Sequence, residues 1–101
     1  MGRVRRGKKD ANHDTLKAVF LRMGCSVLDL YDSGRPGYPD IIVGVCGKTA
    51  LVEIKNPETG YGRAGLNSNQ TAFEREWRGS PLYVVRTELE VVALVNNLRR
   101  G

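Results

Sequence analysis

The sequence has little cysteine and histidine and no long hydrophobic run, and each of these absences excludes a class of protein. Its two cysteines, Cys25 and Cys46, lie 21 positions apart and are accompanied by a single histidine, so the ligands of a zinc site cannot be assembled. We expect both cysteines to be reduced thiols in the core. The longest apolar stretches, such as residues 40–46, have the length of a strand, whereas a membrane span needs about 20 apolar residues. The chain is therefore expected to be neither a zinc protein nor a membrane-spanning one.

The length and the start of the chain predict one small domain. A chain of 101 residues without internal repeats is too short for two ordinary domains. Its basic first residues are followed by the polar residues 10–14 and not by an apolar segment. We therefore expect no secretory signal and a cytoplasmic protein.

The positive charge is concentrated near the N-terminus. The formal net charge is +5, and residues 1–9 hold five of the 16 basic residues and no acidic one. Residues 10–101 therefore carry eleven charges of each sign. The pattern predicts a flexible basic arm, residues 1–9, ahead of a single domain over residues 10–101. Such an arm suits contact with phosphates, and it is equally typical of a solubilising terminus.

Hydrophobic periodicity predicts the element order α-β-β-β-α-β-α. Helices are predicted over residues 10–23, 67–77 and 87–98, and strands over residues 25–31, 40–45, 49–55 and 82–86. The pair Gly47-Lys48 suits a two-residue hairpin turn, so the first three strands should form an antiparallel meander. The expected fold class is α/β, with helices covering a mixed four-stranded sheet.

The segment between the third strand and the second helix is predicted to be a loop. Residues 56–66 contain Pro57 and three glycines and cannot continue the sheet. Residues 67–70, Asn-Ser-Asn-Gln, resemble a capping box that opens the helix. Phe73 and Trp77 are four residues apart and are expected on the buried side of that helix.

The central hairpin carries the candidate metal-binding and catalytic residues. With Gly47-Lys48 as its turn, the numbers of facing residues add up to 95, so Asp40 is predicted opposite Lys55. Strand alternation then puts Glu53, Lys55 and Asp40 on one face. Two carboxylates and an ammonium group on one patch suit a hard divalent cation such as Mg²⁺. The same three residues are also consistent with a surface salt bridge.

The two motifs on this hairpin resemble a known signature. Pro39-Asp40, followed by Glu53-Ile54-Lys55 on the next strand, is similar to the Pro-Asp and Glu-x-Lys motifs of the PD-(D/E)xK nuclease superfamily. With the preceding helix and the capping-box segment that follows, the pattern over residues 10–95 resembles the VRR-NUC branch, in its stand-alone phage and prophage form. It is also similar to archaeal Holliday-junction resolvases. The resemblance implies a restriction-endonuclease-like fold.

The resemblance also implies roles for individual residues. Asp40 and Glu53 would be the metal ligands, helped by the backbone carbonyl of Ile54, and the metal would be Mg²⁺ or Mn²⁺. Lys55 would position the attacking water or help to deprotonate it. Gln70 matches a glutamine that the family has near its active site. It is equally well explained as the partner of Asn67 in the capping box.

The first helix departs from the superfamily pattern. A glutamate often faces the metal from this helix, whereas the corresponding residues 12–14 are Asn-His-Asp. His13 lies three residues before Leu16 and seven before Phe20, on the inward face, so it is the candidate for the missing site residue. A histidine in such a position is also typical of a structural hydrogen bond.

The resemblance implies a divalent-metal-dependent DNA endonuclease that acts, as a homodimer, on duplex or branched DNA such as a four-way junction. The host would be a bacterial cell if the protein is encoded by a phage. The alternatives are a non-catalytic DNA-binding accessory protein with the same fold, and a nuclease that acts on RNA. The apolar residues of segments 82–85 and 89–98 exceed what one face must bury, so the dimer interface is expected there.

Overall fold

The computed structural model describes residues 11–33, 35–58 and 65–101. The predicted basic arm, residues 1–9, and residues 59–64 of the predicted loop lie outside the described residues. The elements are the helices α1 (Ala11–Arg22), α2 (Ser68–Glu76) and α3 (Glu88–Arg100) and the strands β1 (Ser26–Asp29), β2 (Ile41–Val45), β3 (Lys48–Ile54) and β4 (Leu82–Val85). The predicted order is confirmed. A short 3₁₀ helix, Tyr31–Ser33, follows β1 and includes Tyr31, which was predicted as the last residue of the first strand.

The four strands form one mixed sheet in the order β1-β2-β3-β4. The first three strands are antiparallel, which confirms the meander, and β4 is parallel to β3. A parallel neighbour requires the chain to cross over the sheet, and α2 lies in that crossover. Strand β3 therefore has a paired neighbour on each side.

The hairpin turn lies one residue earlier than predicted. Val45 pairs with Lys48, so the turn is Cys46-Gly47, with φ angles of 53° and 76°. Positive φ at both positions is the geometry of a type I′ turn, whose backbone twist matches that of the strands. The register is therefore shifted by two, and the prediction that Asp40 faces Lys55 is wrong. Because a shift of two preserves the alternation, the assignment of residues to faces stays correct.

Helices α1 and α3 cover one face of the sheet and form the core there. The inward residues alternate along the strands and recur every three to four residues along the helices, so each element contributes one apolar side. The buried apolar residues include Leu16, Val19 and Phe20 of α1, Ile41, Val43 and Val45 of β2, Ala50, Val52 and Ile54 of β3, and Val91, Leu94 and Val95 of α3. Truncating a ring as deeply buried as Phe20 to alanine costs about 3 to 5 kcal/mol.

The opposite face of β3 carries polar side chains. Glu53 and Lys55 alternate with the core residues Val52 and Ile54, so they point away from α1 and α3. Both are nevertheless buried, because the N-terminal turn of α2 packs over them through Gln70. The polar site thus lies between the sheet and α2.

The two cysteines, both expected in the core, differ in their exposure. Cys25 is a buried thiol as expected, whereas Cys46 is exposed, because it forms the hairpin turn. No helix within the described ranges is long and apolar enough to span a membrane.

Candidate functional site

Asp40 is held at the start of β2 by three backbone contacts. Its amide donates to the carbonyl of Val52 at 3.0 Å, and its carbonyl accepts from the amide of Leu30 at 2.8 Å. Its carboxylate oxygen Oδ2 accepts from the amide of Ile54 at 2.8 Å. One carboxylate oxygen thus fixes the side chain against the C-terminal end of β3.

Lys55, Glu53 and Gln70 form a connected polar group. The Lys55 ammonium donates to Gln70 Oε1 at 3.0 Å and lies 3.8 Å from Glu53 Oε2. Gln70 Nε2 donates to the same Glu53 oxygen. Together with Asp40 these side chains are only 3% to 6% exposed. Burying charges is unfavourable unless they are paired and hydrogen-bonded, so the fold specifically maintains this group.

Gln70 has both of the roles that the sequence left open: it belongs to the capping box with Asn67, and it belongs to the polar site. The amide of Asn67 donates to Gln70 Oε1 at 3.0 Å, and the amide of Gln70 donates to Asn67 Oδ1 at 2.9 Å, which makes the predicted capping box. The same Oε1 atom accepts from Lys55. The capping box and the polar site therefore share one side chain.

Asn12 is a positioning residue that the sequence analysis missed. Its Nδ2 donates to the carbonyls of Lys55 and Arg86, each at 2.8 Å. The amide of Lys55 in turn donates to the carbonyl of Val85 at 3.0 Å. These bonds attach the first turn of α1 to the C-terminal ends of β3 and β4. An asparagine at a helix start is typical of caps, so its sequence position gave no sign of this long-range role.

His13 is buried on the other side of the sheet. Its Nε2 lies 3.0 Å from Asp29 Oδ2, and its ring meets that of Tyr31 edge-on with centroids 5.7 Å apart. No group of three or more His, Cys, Asp or Glu side chains able to hold a metal is found in the described part of the chain. The structure thus brings Asp40, Glu53, Lys55 and Gln70 together and places His13 with Asp29.

Asp29 is the acidic centre of this second cluster. Its Oδ2 also accepts from Lys17 Nζ at 3.1 Å, and its Oδ1 accepts from the amide of Tyr31 at 3.0 Å. Partial burial raises the pKa of Asp29. The hydrogen bonds from the Tyr31 amide, His13 and Lys17 lower it by more, so the pKa falls to about 2. Asp29 is therefore an ionised structural carboxylate at neutral pH.

The aromatic residues of α2 do not lie where the sequence predicted. Phe73 and Trp77 were expected on the buried side, but neither joins the hydrophobic core, and Trp77 is 47% exposed. Their spacing of four brings the two rings into contact with each other, stacked with centroids 5.4 Å apart. Tyr38 also contacts Phe73, with their centroids 5.4 Å apart and their planes tilted by 55°.

The sheet and this site define a class of protein. The mixed four-stranded sheet has helices on both faces, and it holds Asp40 just before β2 and Glu53 and Lys55 at the end of β3. This is the restriction-endonuclease-like arrangement of the PD-(D/E)xK superfamily. Within that class, the chain is similar to a solved structure described as a VRR_NUC domain. The TM-score is 0.63 and the sequence identity 26%, and the match covers 83% of this chain and 89% of that chain. The resemblance to the VRR-NUC family is thereby confirmed. No family model and no curated protein matches the chain.

Proposed function

We propose that the protein is a divalent-metal-dependent endonuclease that hydrolyses phosphodiester bonds in DNA. The observation that carries the proposal is the buried group of Asp40, Glu53, Lys55 and Gln70 on the face of the sheet that α2 covers. The likeness to a VRR_NUC domain supports the same activity. A fold that served only to bind DNA would gain nothing from two buried carboxylates at its binding site, because carboxylates repel phosphates.

The donor set fits a hard divalent cation. Asp40 and Glu53 offer carboxylate oxygens, and Ile54 between Glu53 and Lys55 offers a backbone carbonyl. The charged groups of the site include two negative charges and one positive charge, so a cation would compensate the excess. Mg²⁺ or Mn²⁺ takes one or two carboxylates and completes its shell with water and phosphate oxygens. When bound, such an ion lowers the pKa of its water and neutralises charge on the phosphate.

Lys55 is the candidate for electrostatic stabilisation. Its ammonium is held by Gln70 Oε1 at 3.0 Å, beside Glu53. A fixed positive charge in a buried site can stabilise the negative charge that develops on the phosphate oxygens during hydrolysis. Gln70 acts through Lys55 and Glu53 and is therefore a positioning residue.

The proposal is tested by cleavage assays with Mg²⁺ or Mn²⁺ on linear, flapped and four-way DNA. Lys55→Ala should abolish cleavage, because it removes the positive charge from the site. Lys48→Ala is the matched control, since Lys48 lies at the other end of β3 and donates to the carbonyl of Leu98. It should cut at the wild-type rate.

A second variant tests the metal ligand. Asp40→Asn keeps an oxygen that can accept from the amide of Ile54, so the fold should persist, but it removes one negative charge. We expect weaker metal binding by calorimetry and loss of cleavage. Wild-type cleavage by either Asp40→Asn or Lys55→Ala would overturn the assignment. A wild-type protein that binds DNA and cuts none of the panel would instead be the non-catalytic accessory protein.

A further inference from the structure

Three aromatic side chains form a continuous row beside the polar site, which we call the aromatic ladder: Tyr38, Phe73 and Trp77. Phe73 lies in the middle, nearly parallel to Trp77 at 14° and tilted by 55° against Tyr38. Both outer rings reach the surface, with Tyr38 39% and Trp77 47% exposed. The two ends of the ladder therefore present ring surface to solvent.

The ladder begins at the proposed active site. Gln70, Phe73 and Trp77 are spaced three and four residues apart, so they follow one side of α2 from the buried amide to the surface. Tyr38 precedes Asp40 by two residues. The seven residues from Gln70 to Trp77 correspond to a rise of roughly 10 Å. That length is about three nucleotides of a stacked strand at 3.4 Å each.

The exposed charged residues within three positions of the ladder are three arginines, Arg35, Arg75 and Arg78, and two glutamates, Glu74 and Glu76, and this positive balance favours nucleic acid as the occupant. Arg35 precedes Tyr38 by three residues and Arg78 follows Trp77 directly, and both are exposed. Arginines next to exposed rings are the combination with which proteins hold single strands, since the rings stack on bases and the cations pair with phosphates. Gly79 has no side chain, and a Cβ there would lie 2.7 Å from the indole Nε1 of Trp77. A larger residue at position 79 would therefore displace the indole.

We propose that the aromatic ladder is a stacking platform for unpaired bases adjoining the bond that is cut. This inference rests on the proposed function and names its substrate class: nucleic acid with a short single-stranded segment, such as a flap or an overhang. A duplex cannot use the ladder, because its bases are already stacked on each other. The ladder should thus add affinity for single strands and almost none for blunt duplexes.

The chain allows this to be measured without catalysis. Trp77 is its single tryptophan, so fluorescence excited at a wavelength where tyrosine does not absorb reports on the ladder alone. In EDTA, a thymidine oligonucleotide should quench this fluorescence, whereas a blunt duplex of the same length should leave it nearly unchanged. Anisotropy of labelled strands then gives the affinities of the variants.

Stacking of one base on an aromatic ring predicts a loss of about tenfold in single-strand affinity for Trp77→Ala, with duplex affinity within about twofold. Trp77→Phe should retain most of the affinity, and Tyr38→Ala should weaken single-strand binding in the same way. Leu89→Ala is the control, because Leu89 is a large exposed apolar residue on α3, away from the ladder.

Two results would overturn the ladder: single-strand binding without quenching, or equal affinities for wild type and Trp77→Ala. Failure of the proposed function has a different signature. If the protein binds single strands through Trp77 but cuts no substrate with Mg²⁺ or Mn²⁺, the stacking platform is supported and the proposed endonuclease activity is refuted. A protein that cuts, with a flap preference unchanged by Trp77→Ala, refutes the ladder alone.

Discussion

The Gln70 side chain connects a helix cap with two charged groups. Its Oε1 accepts from the amide of Asn67 and from Lys55, both of which are donors, so the amide nitrogen must be the atom that faces Glu53. The orientation of the amide is therefore determined by its partners. Because the bonds share one planar group, a change at any partner is felt by the other two.

At the same scale, the His13–Asp29 cluster makes stability depend on pH. The pKa of Asp29 is about 2 in the folded protein, below the ordinary value of 3.8, so its ionised form stabilises the fold at neutral pH. Asp29→Asn should lower the free energy of unfolding at pH 7 by about 1 kcal/mol, after allowance for solvent screening. The difference should shrink as the pH falls from about 4 to about 2. Urea unfolding at several pH values measures it, with the exposed Glu74→Gln as control.

His13→Ala distinguishes the two roles considered for the histidine. His13 is almost fully buried beside Asp29 and Tyr31, so we expect the free energy of unfolding to fall by roughly 2 kcal/mol or more. Cleavage per folded molecule at saturating metal should be retained. A variant with the melting temperature of the wild type but without turnover would show that His13 acts in the active site and not in the structure.

At the scale of elements, the faces of the strands were predictable and the register of the hairpin was not. The alternation along β2 and β3 depends on apolar residues at every second position, which the sequence displays directly. The turn depends on whether Cys46 or Lys48 accompanies Gly47. Cys46 adopts positive φ because the type I′ twist favours the closed hairpin, a long-range gain that local preferences do not contain. Trp77 was misjudged because helical spacing shows which rings meet and not what covers them.

The loop before β2 docks on α2 through a glycine, which yields a prediction for that contact. Gly37 has a φ of +87°, and a Cβ there would lie 2.4 Å from the carbonyl oxygen of Asn69. Gly37→Ala should therefore push the loop that carries Asp40 away from Gln70. We expect a loss of more than about 2 kcal/mol in stability and a strong loss of cleavage.

Gly47→Ala is the control for this loop. Gly47 also has positive φ, +76°, but no atom lies within 4 Å of the position a Cβ would take. Its alanine variant should thus show only the backbone strain, about 1 kcal/mol. If both variants lose equal stability in thermal melts, the close approach of Gly37 to α2 contributes nothing.

At the scale of the whole molecule, the expected dimer interface keeps only part of the apolar surface from which it was predicted. Leu82 and Val85 of β4 and Val91, Leu94 and Val95 of α3 are all buried within one chain. Most of the apolar surplus in these segments is therefore covered within one chain, but Leu89 of α3 is 81% exposed, so an interface in this region stays a prediction. The homodimer itself stays a prediction, required if one protein is to cut a four-way junction symmetrically.

The outer strand β1 offers a different surface for such a dimer. It is an edge of the sheet, and its Leu28 is 63% exposed on the same side as the polar site. We expect sedimentation at micromolar concentration to show twice the monomer mass of 11.2 kDa. Leu28→Glu should dissociate the dimer, and Leu89→Glu should not. A single species near 11.2 kDa that nicks junctions without paired cuts would exclude the resolvase form and leave a monomeric nuclease.

The anchoring of α1 by Asn12 also determines where the N-terminal charges are tethered. Asn12 holds the ends of β3 and β4 beside Lys55, so the chain enters its first helix next to the polar site. A fully extended residue spans at most about 3.6 Å, so residues 1–9 cannot be further from Asn12 than roughly 40 Å. Because this segment is so short, its five positive charges have a high effective concentration around any phosphate backbone that reaches the site. On the proposed function, we expect these charges to make the capture of DNA sensitive to salt, while the hydrolytic step depends on the folded domain.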